Sequence, residues 1–480
     1  MNAHVCVVAR IAREEWRTLL RDRAAVFGLV LLTVLTLLAA LNAHEYRRSA
    51  AAERARYQDR ANHEFQAQPD RHPHRVVHFG HFLFRPLNPL AAFDPGIDPY
   101  TGHTLFLEGH RQNSANFGDV RQNSLLLRFG QMSPAFVLQV LAPLLLVFFG
   151  HAGVARERES GTLRVLLAQG VRSRELVCGK LLALCGFAGL VLVPALSALV
   201  WFALDGGGSW PLALLLGAGY AGWLLLWALV AVLASTLAAR GRDALLALLA
   251  AWALAVILLP RWAPDMANTA VALGTRFEDG IHVQRDYLAL GNAHDPNDPA
   301  FSAFRDKLLK QYGVARIEDL PVNYKGLVGM EGERLSTELF NGYAEAAFDR
   351  QQRQNAIVDG FGWLSPALAL RRLSMAAAQT DLASYRRFLD QGERYRYELV
   401  QGLNRIQAEE LRYADDTNPN KENRVSRSHW EAFPAFHYDP APLGETLGRA
   451  APAGMVLLAW LCVLALLVWH LGGRLGRSLR

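Results

Sequence analysis

Cysteine is scarce in this chain of 480 residues: only four are present, and neither of the two long polar stretches contains one. No two of them show the Cys-x-x-Cys spacing of a metal site. A disulfide framework is therefore excluded as the source of stability for the polar stretches. These stretches must fold by packing a core or by resting on a membrane.

The motifs of several enzyme classes are also missing. Gly179-Lys180 is followed by leucine, and no glycine stands five residues before Gly179, so the chain has no phosphate-binding loop of the Walker A type. The metalloprotease pattern His-Glu-x-x-His and the nucleophile pattern Gly-x-Ser-x-Gly are absent as well. The sequence therefore predicts no catalytic residues, no enzyme activity and no cofactor bound by this chain.

Charge is missing from the middle of six apolar runs that are long enough to cross a bilayer. These runs are 24–41, 132–153, 181–204, 211–237, 244–260 and 452–470. Proton- and ion-coupled transporters place ionisable groups at such positions, because a relay or an ion site needs them. The sequence therefore argues against that class of transporter and against a channel lined by charged rings.

The short loops predict the orientation, because long segments cross a membrane regardless of their charge. Arginine flanks the N-terminus, the link 154–180, the turn 238–243 and the tail 471–480. The short loop that follows the third run carries Asp205 and no basic residue. Both termini are therefore predicted to be cytoplasmic. The excess of basic residues behind the net charge of +6 lies beside the apolar runs, where it sets the orientation, so no nucleic-acid partner is predicted.

Two long stretches lie on the other side in this prediction: the first polar segment (42–131) and the second polar segment (261–449). The predicted fold class is an all-α polytopic membrane protein with six transmembrane helices and two large, mainly helical extracytoplasmic insertions. Prolines between 78 and 113 predict turns and short strands there. Periodicity predicts a helix at the membrane surface over 363–378 and a long helix over 381–411.

Residues 1–23 precede the first apolar run and alternate apolar with charged positions at helical spacing. This pattern predicts an amphipathic helix in the membrane interface, with Trp16 at the depth of the lipid headgroups.

The link 154–180 joins the second and third apolar runs and is charged at both ends. Its sequence is VARERESGTLRVLLAQGVRSRELVCGK. It resembles the cytoplasmic loop of ABC-2 type transporter permeases, in which the pattern E-R-E-x-G-T-L-x-x-L-L is followed by a turn and then by S-R-x-E-L-x-x-G-K. One departure is Gly170-Val171, where many members carry proline. The resemblance implies a loop that lodges in a groove of a separate ATP-binding subunit and receives its motion.

The resemblance also implies which residues contact that subunit, with charged contacts around a small apolar anchor. The residues predicted to couple to the ATPase are Glu157, Arg158, Glu159, Gly161, Thr162, Leu163, Arg164, Leu166, Leu167, Arg174, Glu175 and, from the N-terminal helix, Trp16. The alternative for the N-terminal helix is an anchor that only sets the topology. No substrate-binding residue is predicted.

Both polar segments extend the resemblance to the ABC-2 subfamily that carries the DUF3526 domain. The stretches that carry it are HFGHFLFRPLNPLAAFDPGIDPY, LEGHRQN, LKQYGVARIEDLPVNYKGL and LSPALALRRLSMAAAQTDLASYRRFL. The resemblance implies the permease subunit of an ATP-driven exporter in a bacterial cytoplasmic membrane. Such a permease pairs with a second permease chain, identical or a sibling, and with two copies of an ATP-binding subunit that holds ATP and Mg²⁺. The alternative is a non-transporting membrane scaffold or sensor that binds a partner through its polar segments.

Several histidines in the first polar segment raise the question of a metal site. They are His63, His72, His74, His78, His81, His103 and His110. His74 and His78 would share one face of a helix, but the neighbouring prolines and Gly80 argue against a helix there. With no cysteine and no clustered carboxylate beside them, the pattern is unspecific, and no metal site is predicted.

Overall fold

The computed structural model describes residues 3–115, 132–205 and 207–475. Parts of the first polar segment (116–131) and of the tail (476–480) lie outside the described residues. The helices in the first half of the chain are α1 (Ala3–Arg21), α2 (Arg23–Gln66), α3 (Pro73–Val77), α4 (Pro134–Glu159), α5 (Thr162–Ala168), α6 (Ser173–Asp205), α7 (Trp210–Leu237) and α8 (Gly241–Ala270). Those that follow are α9 (Arg276–Ala289), α10 (Ser302–Tyr312), α11 (Tyr324–Gly360), α12 (Pro366–Ala378), α13 (Leu382–Glu410), α14 (Tyr413–Asp416), α15 (Ser428–Glu431) and α16 (Leu443–Arg474).

Within the described residues, six helices are long and apolar enough to cross a membrane, which confirms the predicted number of spans. They are α2, α4, α6, α7, α8 and α16. Six crossings place the two polar segments at one end of the bundle and the link at the other. Buried apolar side chains of all six spans form one continuous core, which also includes residues of α12.

Helix α2 is continuous over 44 residues and is about 66 Å long at 1.5 Å per residue. Its second half contains no glycine or proline and is rich in alanine, arginine and glutamate, which favour helix. The helix therefore continues past the bilayer into the first polar segment. There Arg54 donates a hydrogen bond to the carbonyl of Arg85 at 3.0 Å, and Gln58 accepts one from the backbone of Phe84 at 2.9 Å.

A two-stranded antiparallel sheet lies against this extension of α2. Strand β1 (His81–Phe84) pairs with β2 (Thr104–Leu107), with His81 opposite Leu107. A 3-10 turn, Pro89–Ala92, stands between the strands. These elements confirm the prediction of turns and short strands in this proline-rich stretch.

Span α4 contains a π-helical segment, Val137–Leu141. A π segment interrupts the regular ladder and leaves carbonyl groups in need of donors within the bilayer. Two indole groups supply those donors: Trp223 donates to the carbonyl of Leu138 at 3.0 Å, and Trp252 donates to that of Val140 at 3.1 Å. The irregular backbone is therefore satisfied by neighbouring spans.

Two local predictions need correction. Helix α12 does not lie on the membrane surface, because its residues pack between α7 and α16, with Leu373 against Gly219 and Gly454. The stretch at His74 and His78 is helical after all. Proline does not prevent a helix at its first turn, where the missing N–H needs no partner, and α3 begins with one.

The second polar segment is built on α11 and α13, which pack side by side. Gly326 of α11 lies against the backbone of Ala408, so that a Cβ there would come within 2.4 Å of its nitrogen. Further along the same two helices, the guanidinium of Arg396 pairs with Glu333 at 2.5 Å and with Glu393 at 2.7 Å. Burial of an unpaired charge would be costly, and the cation of Arg396 is shared here by two buried carboxylates.

Candidate functional site

The link folds into two short helical pieces separated by glycine turns. Span α4 ends at Glu159, and Gly161 then adopts a φ of +79° before α5 begins at Thr162. Gly170 adopts a φ of +91° between α5 and α6. A Cβ on either glycine would meet open space, so backbone conformation, and not packing, is what calls for glycine at both turns.

The first piece of the link is fastened to the turn between α7 and α8. Arg158 donates hydrogen bonds to the carbonyl of Thr236 at 2.8 Å and to that of Ala238. The carboxylate of Glu159 accepts one from the backbone N–H of Gly241 at 3.2 Å. Arg158 thus satisfies carbonyls at the end of α7 that the helix itself cannot pair.

Lys180 is the centre of a second set of contacts, which joins the link to α1. Its ammonium pairs with Glu157 at 2.8 Å and also contacts Glu15 of α1, and its side chain is only 4% exposed. The other carboxylate oxygen of Glu157 accepts a hydrogen bond from Thr162. One buried cation thereby holds together α1, the end of α4 and the start of α6.

Helix α1 packs closely on α6 through two glycines. A Cβ on Gly179 would lie 2.6 Å from Ile11, and one on Gly186 would lie 2.8 Å from the indole of Trp16. Trp16 is therefore half-buried against the chain's own third span. This contact fixes the N-terminal helix to the helix that follows the link.

Helix α5 has one face toward the core and one toward solvent. Leu163 is 1% exposed and belongs to the core of the membrane bundle, with Leu166 and Leu167 packed beside it. Arg164 and Val165 project from the opposite side, and Val165 is 55% exposed. The predicted role of Leu163 as an apolar anchor for another chain is thereby corrected, since its side chain already fills the core of its own chain.

Two further predicted residues also have partners within the chain. The guanidinium of Arg174 lies over the ring of Trp469 in α16, with its Cζ 4.5 Å from the centroid. Glu175 accepts a hydrogen bond from the backbone N–H of Arg172 at 2.9 Å at the start of α6. Both contacts stabilise the junction between the link and the spans.

The family of the chain is decided by comparison with protein-family models. The model described as ABC-2 family transporter protein matches residues 9–292, which is more than half of the sequence and includes the link. The chain belongs to the ABC-2 transporter family. A second model, DUF3526, a domain of unknown function, matches residues 276–439. No curated protein matches this ABC-2 membrane subunit.

Three residues that hold the link of this ABC-2 permease were not among the predicted site residues. They are Glu15, Lys180 and Ser235, and the hydroxyl oxygen of Ser235 accepts hydrogen bonds from the backbone of Val154 at 2.9 Å and of Ala155 at 3.0 Å. The sequence could have indicated Lys180, because this residue is the last position of the family's loop pattern. A serine at the end of an apolar run and a glutamate in an amphipathic helix carry no comparable signal.

Proposed function

We propose that the chain is the permease subunit of an ATP-driven exporter and that the exposed face of α5 is where a separate ATP-binding subunit pushes. Membership in the ABC-2 family supports a transporter membrane component. Arg164 and Val165 offer a cation beside an apolar side chain, a combination that suits a groove on another protein. The observation that carries the proposal is the two-faced packing of α5, with Leu163 in the core and Val165 in solvent.

The anchoring of the link supplies the route for the force. Pressure on α5 reaches α4 and α6 directly, because each is connected to α5 by a turn of a few residues and Leu163 packs in the core that the spans share. The contact of Lys180 with Glu15 extends this force to α1. The hydrogen bonds of Arg158 extend it to the turn between α7 and α8. Four elements of the bundle therefore respond to one contact.

The orientation belongs to the same proposal. The link, α1 and the tail face the cytoplasm of a bacterium, and the two polar segments face outward, as the arginine-rich short loops support. A cysteine introduced at Ser160 should react with a membrane-impermeant maleimide only in opened cells. One introduced at Asn418 should react in intact cells, and the reverse pattern would refute this orientation.

The permease works with a second permease chain and two copies of the ATP-binding subunit in this proposal. The decisive experiment is co-purification of the full-length chain with that subunit, followed by reconstitution. The permease alone should hydrolyse no ATP, and robust hydrolysis by it would refute the assignment. A co-purifying ligand of the polar segments without any ATPase would favour a scaffold instead.

The contact itself is tested by Arg164→Glu combined with Val165→Asp. This variant should lower permease-stimulated ATP hydrolysis at least tenfold, because it reverses the charge and removes the apolar contact. Arg242→Glu is the matched control, since Arg242 is exposed in the first turn of α8, at the same end of the bundle. Normal stimulation in the double variant, or equal loss in the control, would contradict the proposed contact face.

A further inference from the structure

Four histidines from two distant parts of the chain meet in the polar segments. We propose that His74, His78, His110 and His294 form a binding site for a divalent transition-metal ion of the Zn²⁺ and Cu²⁺ class. One ring nitrogen from each lies within 4.8 Å of all the others. The inference goes beyond the proposed transport function and does not depend on it.

The distances are close to those of a tetrahedral site. Zinc–imidazole bonds of about 2.0–2.1 Å place ligand nitrogens about 3.3 Å apart. The Nε2 atoms of His74 and His78 are 3.0 Å apart. His294 brings its ring centroid to 4.8 Å from that of His74 and to 4.8 Å from that of His110. A small inward movement of the four imidazole rings would bring their nitrogens to the distances of a tetrahedral metal site.

His110 is held in the orientation that a metal ligand requires. Its Nδ1 lies 3.2 Å from a carboxylate oxygen of the buried Glu333, which also accepts a hydrogen bond from its backbone N–H at 3.1 Å. Its Nε2 is buried and has no hydrogen-bonding partner among the described residues. A carboxylate behind a histidine fixes the tautomer and directs the free nitrogen to the metal. The φ of +64° at His110, unusual for this residue type, is kept by the same carboxylate.

His294 has an equivalent support from its own loop. Its backbone N–H donates to the side-chain oxygen of Asn292 at 3.0 Å, and its Nδ1 lies 3.2 Å from the same oxygen. The Nε2 atom of His294 is thereby left free for a ligand. His72, in contrast, is occupied: its Nδ1 accepts from the backbone of His74, and its Nε2 lies 2.7 Å from Asp416.

The chemistry of the donors selects the kind of ion. Four neutral imidazoles suit zinc, copper or nickel, whereas calcium and magnesium require oxygen ligands. Burial, together with the neighbouring histidines, lowers the pKa of His74 to about 3, so this imidazole is neutral and free to bind at pH 7. His78 and His294 are exposed and leave an entry path for the ion.

The site would join the two polar segments. His74 and His78 belong to α3 and its end, whereas His294 lies in the loop after α9. Helix α9 has several apolar side chains in solvent, with Phe277 77% exposed, so its packing alone holds it weakly. A bound ion would fasten α9 and its loop to the first polar segment.

The test uses the full-length protein in lipid nanodiscs, purified without a polyhistidine tag and stripped with EDTA. Titration with ZnCl₂, and separately with CuCl₂, should give one bound ion per chain, with MgCl₂ as the negative comparison. Hydrogen exchange of residues 290–299 should slow when zinc is added. Absence of binding for both zinc and copper would overturn the inference.

Variants locate the site. His110→Ala and His294→Ala should each weaken zinc binding at least 100-fold, and Asn292→Ala should weaken it about 10- to 100-fold by releasing His294. His437→Ala, at an exposed histidine in another part of the second polar segment, is the matched control and should bind as the wild type does. His294 lies in an exposed loop, so its variant keeps the fold and remains decisive if His110→Ala does not fold. Wild-type binding by His294→Ala, or equal loss in the control, would refute the site.

Discussion

Lys180 offers the sharpest test of how the link is joined to the N-terminal helix. Replacing it by methionine keeps the length of the side chain but leaves Glu15 and Glu157 facing each other without their shared cation. Both carboxylates are 19% exposed, and Arg156 remains 3.8 Å from Glu15. We therefore expect a cost of about 2 kcal/mol, less than the roughly 3–5 kcal/mol for breaking a fully buried pair.

The lost stabilisation should make it easier for α1 to detach from α6. About 2 kcal/mol corresponds to a roughly 30-fold change in an equilibrium constant. Hydrogen exchange of the amides in α1, measured on the full-length chain in nanodiscs, should therefore accelerate about 30-fold in Lys180→Met. The amides of α13, at the other end of the molecule, provide the internal reference and should not change.

A surface pair in the same helix serves as the control. Arg17 contacts Glu14 at 2.6 Å, but the two side chains are 46% and 62% exposed. Such pairs contribute about 0–1 kcal/mol, so Arg17→Met should change the exchange of α1 by no more than about fivefold. Adding Glu157→Gln to Lys180→Met should restore part of the protection. Unchanged exchange of α1 in Lys180→Met would refute the reasoning.

Three further predictions concern packing, a buried ion pair and pH. Gly179→Val should lower the thermal unfolding midpoint, because its Cβ would lie 2.6 Å from Ile11, and overpacking costs roughly 1–3 kcal/mol. Arg396→Ala should destabilise the second polar segment by about 3–5 kcal/mol in chemical denaturation, since the buried carboxylates of Glu333 and Glu393 would lose their shared cation. Acidification from pH 6.5 toward 3 should lower the midpoint of the metal-free protein. Burial and the neighbouring histidines lower the pKa of His74 to about 3, so the unfolded chain binds the extra proton in this window.

Each of these predictions has an outcome that contradicts it. A midpoint for Gly179→Val equal to that of the wild type would mean that α1 does not approach α6 as described. Arg405 is exposed on the same helix, so Arg405→Ala is the control for Arg396→Ala. Equal free energies of unfolding for the two variants would contradict a stabilising role of the buried ion pair. A midpoint that rises between pH 6.5 and pH 3 would contradict the direction of the histidine shift.

The spans could be predicted from the sequence because lipid imposes a simple requirement: a long apolar run must be helical to pair its own backbone. The continuation of α2 into the first polar segment has a different cause, because the second half of this helix is rich in residues that favour helix. Local periodicity is sufficient for features of this kind. It could not place α12, because an apolar stripe looks the same whether it faces lipid headgroups or two other helices.

The contacts that join distant residues were beyond sequence reasoning. Lys180 and Glu15 are 165 positions apart, and His110 and Glu333 are 223 positions apart. Nothing in the local pattern around either partner specifies the other. The helical turn at His74 could have been predicted, since proline is well suited to the first position of a helix, but His294 had no signal in its own neighbourhood.

The unbroken length of α2 has a mechanical consequence for the whole protein. Because the helix has no joint where it leaves the bilayer, a tilt of its membrane half is not absorbed there. Over its final 25 residues, about 37 Å, a tilt of about 10° would sweep the far tip through about 6 Å. The two-stranded sheet is bonded to that arm through Arg54 and Gln58, so it would travel along the same arc.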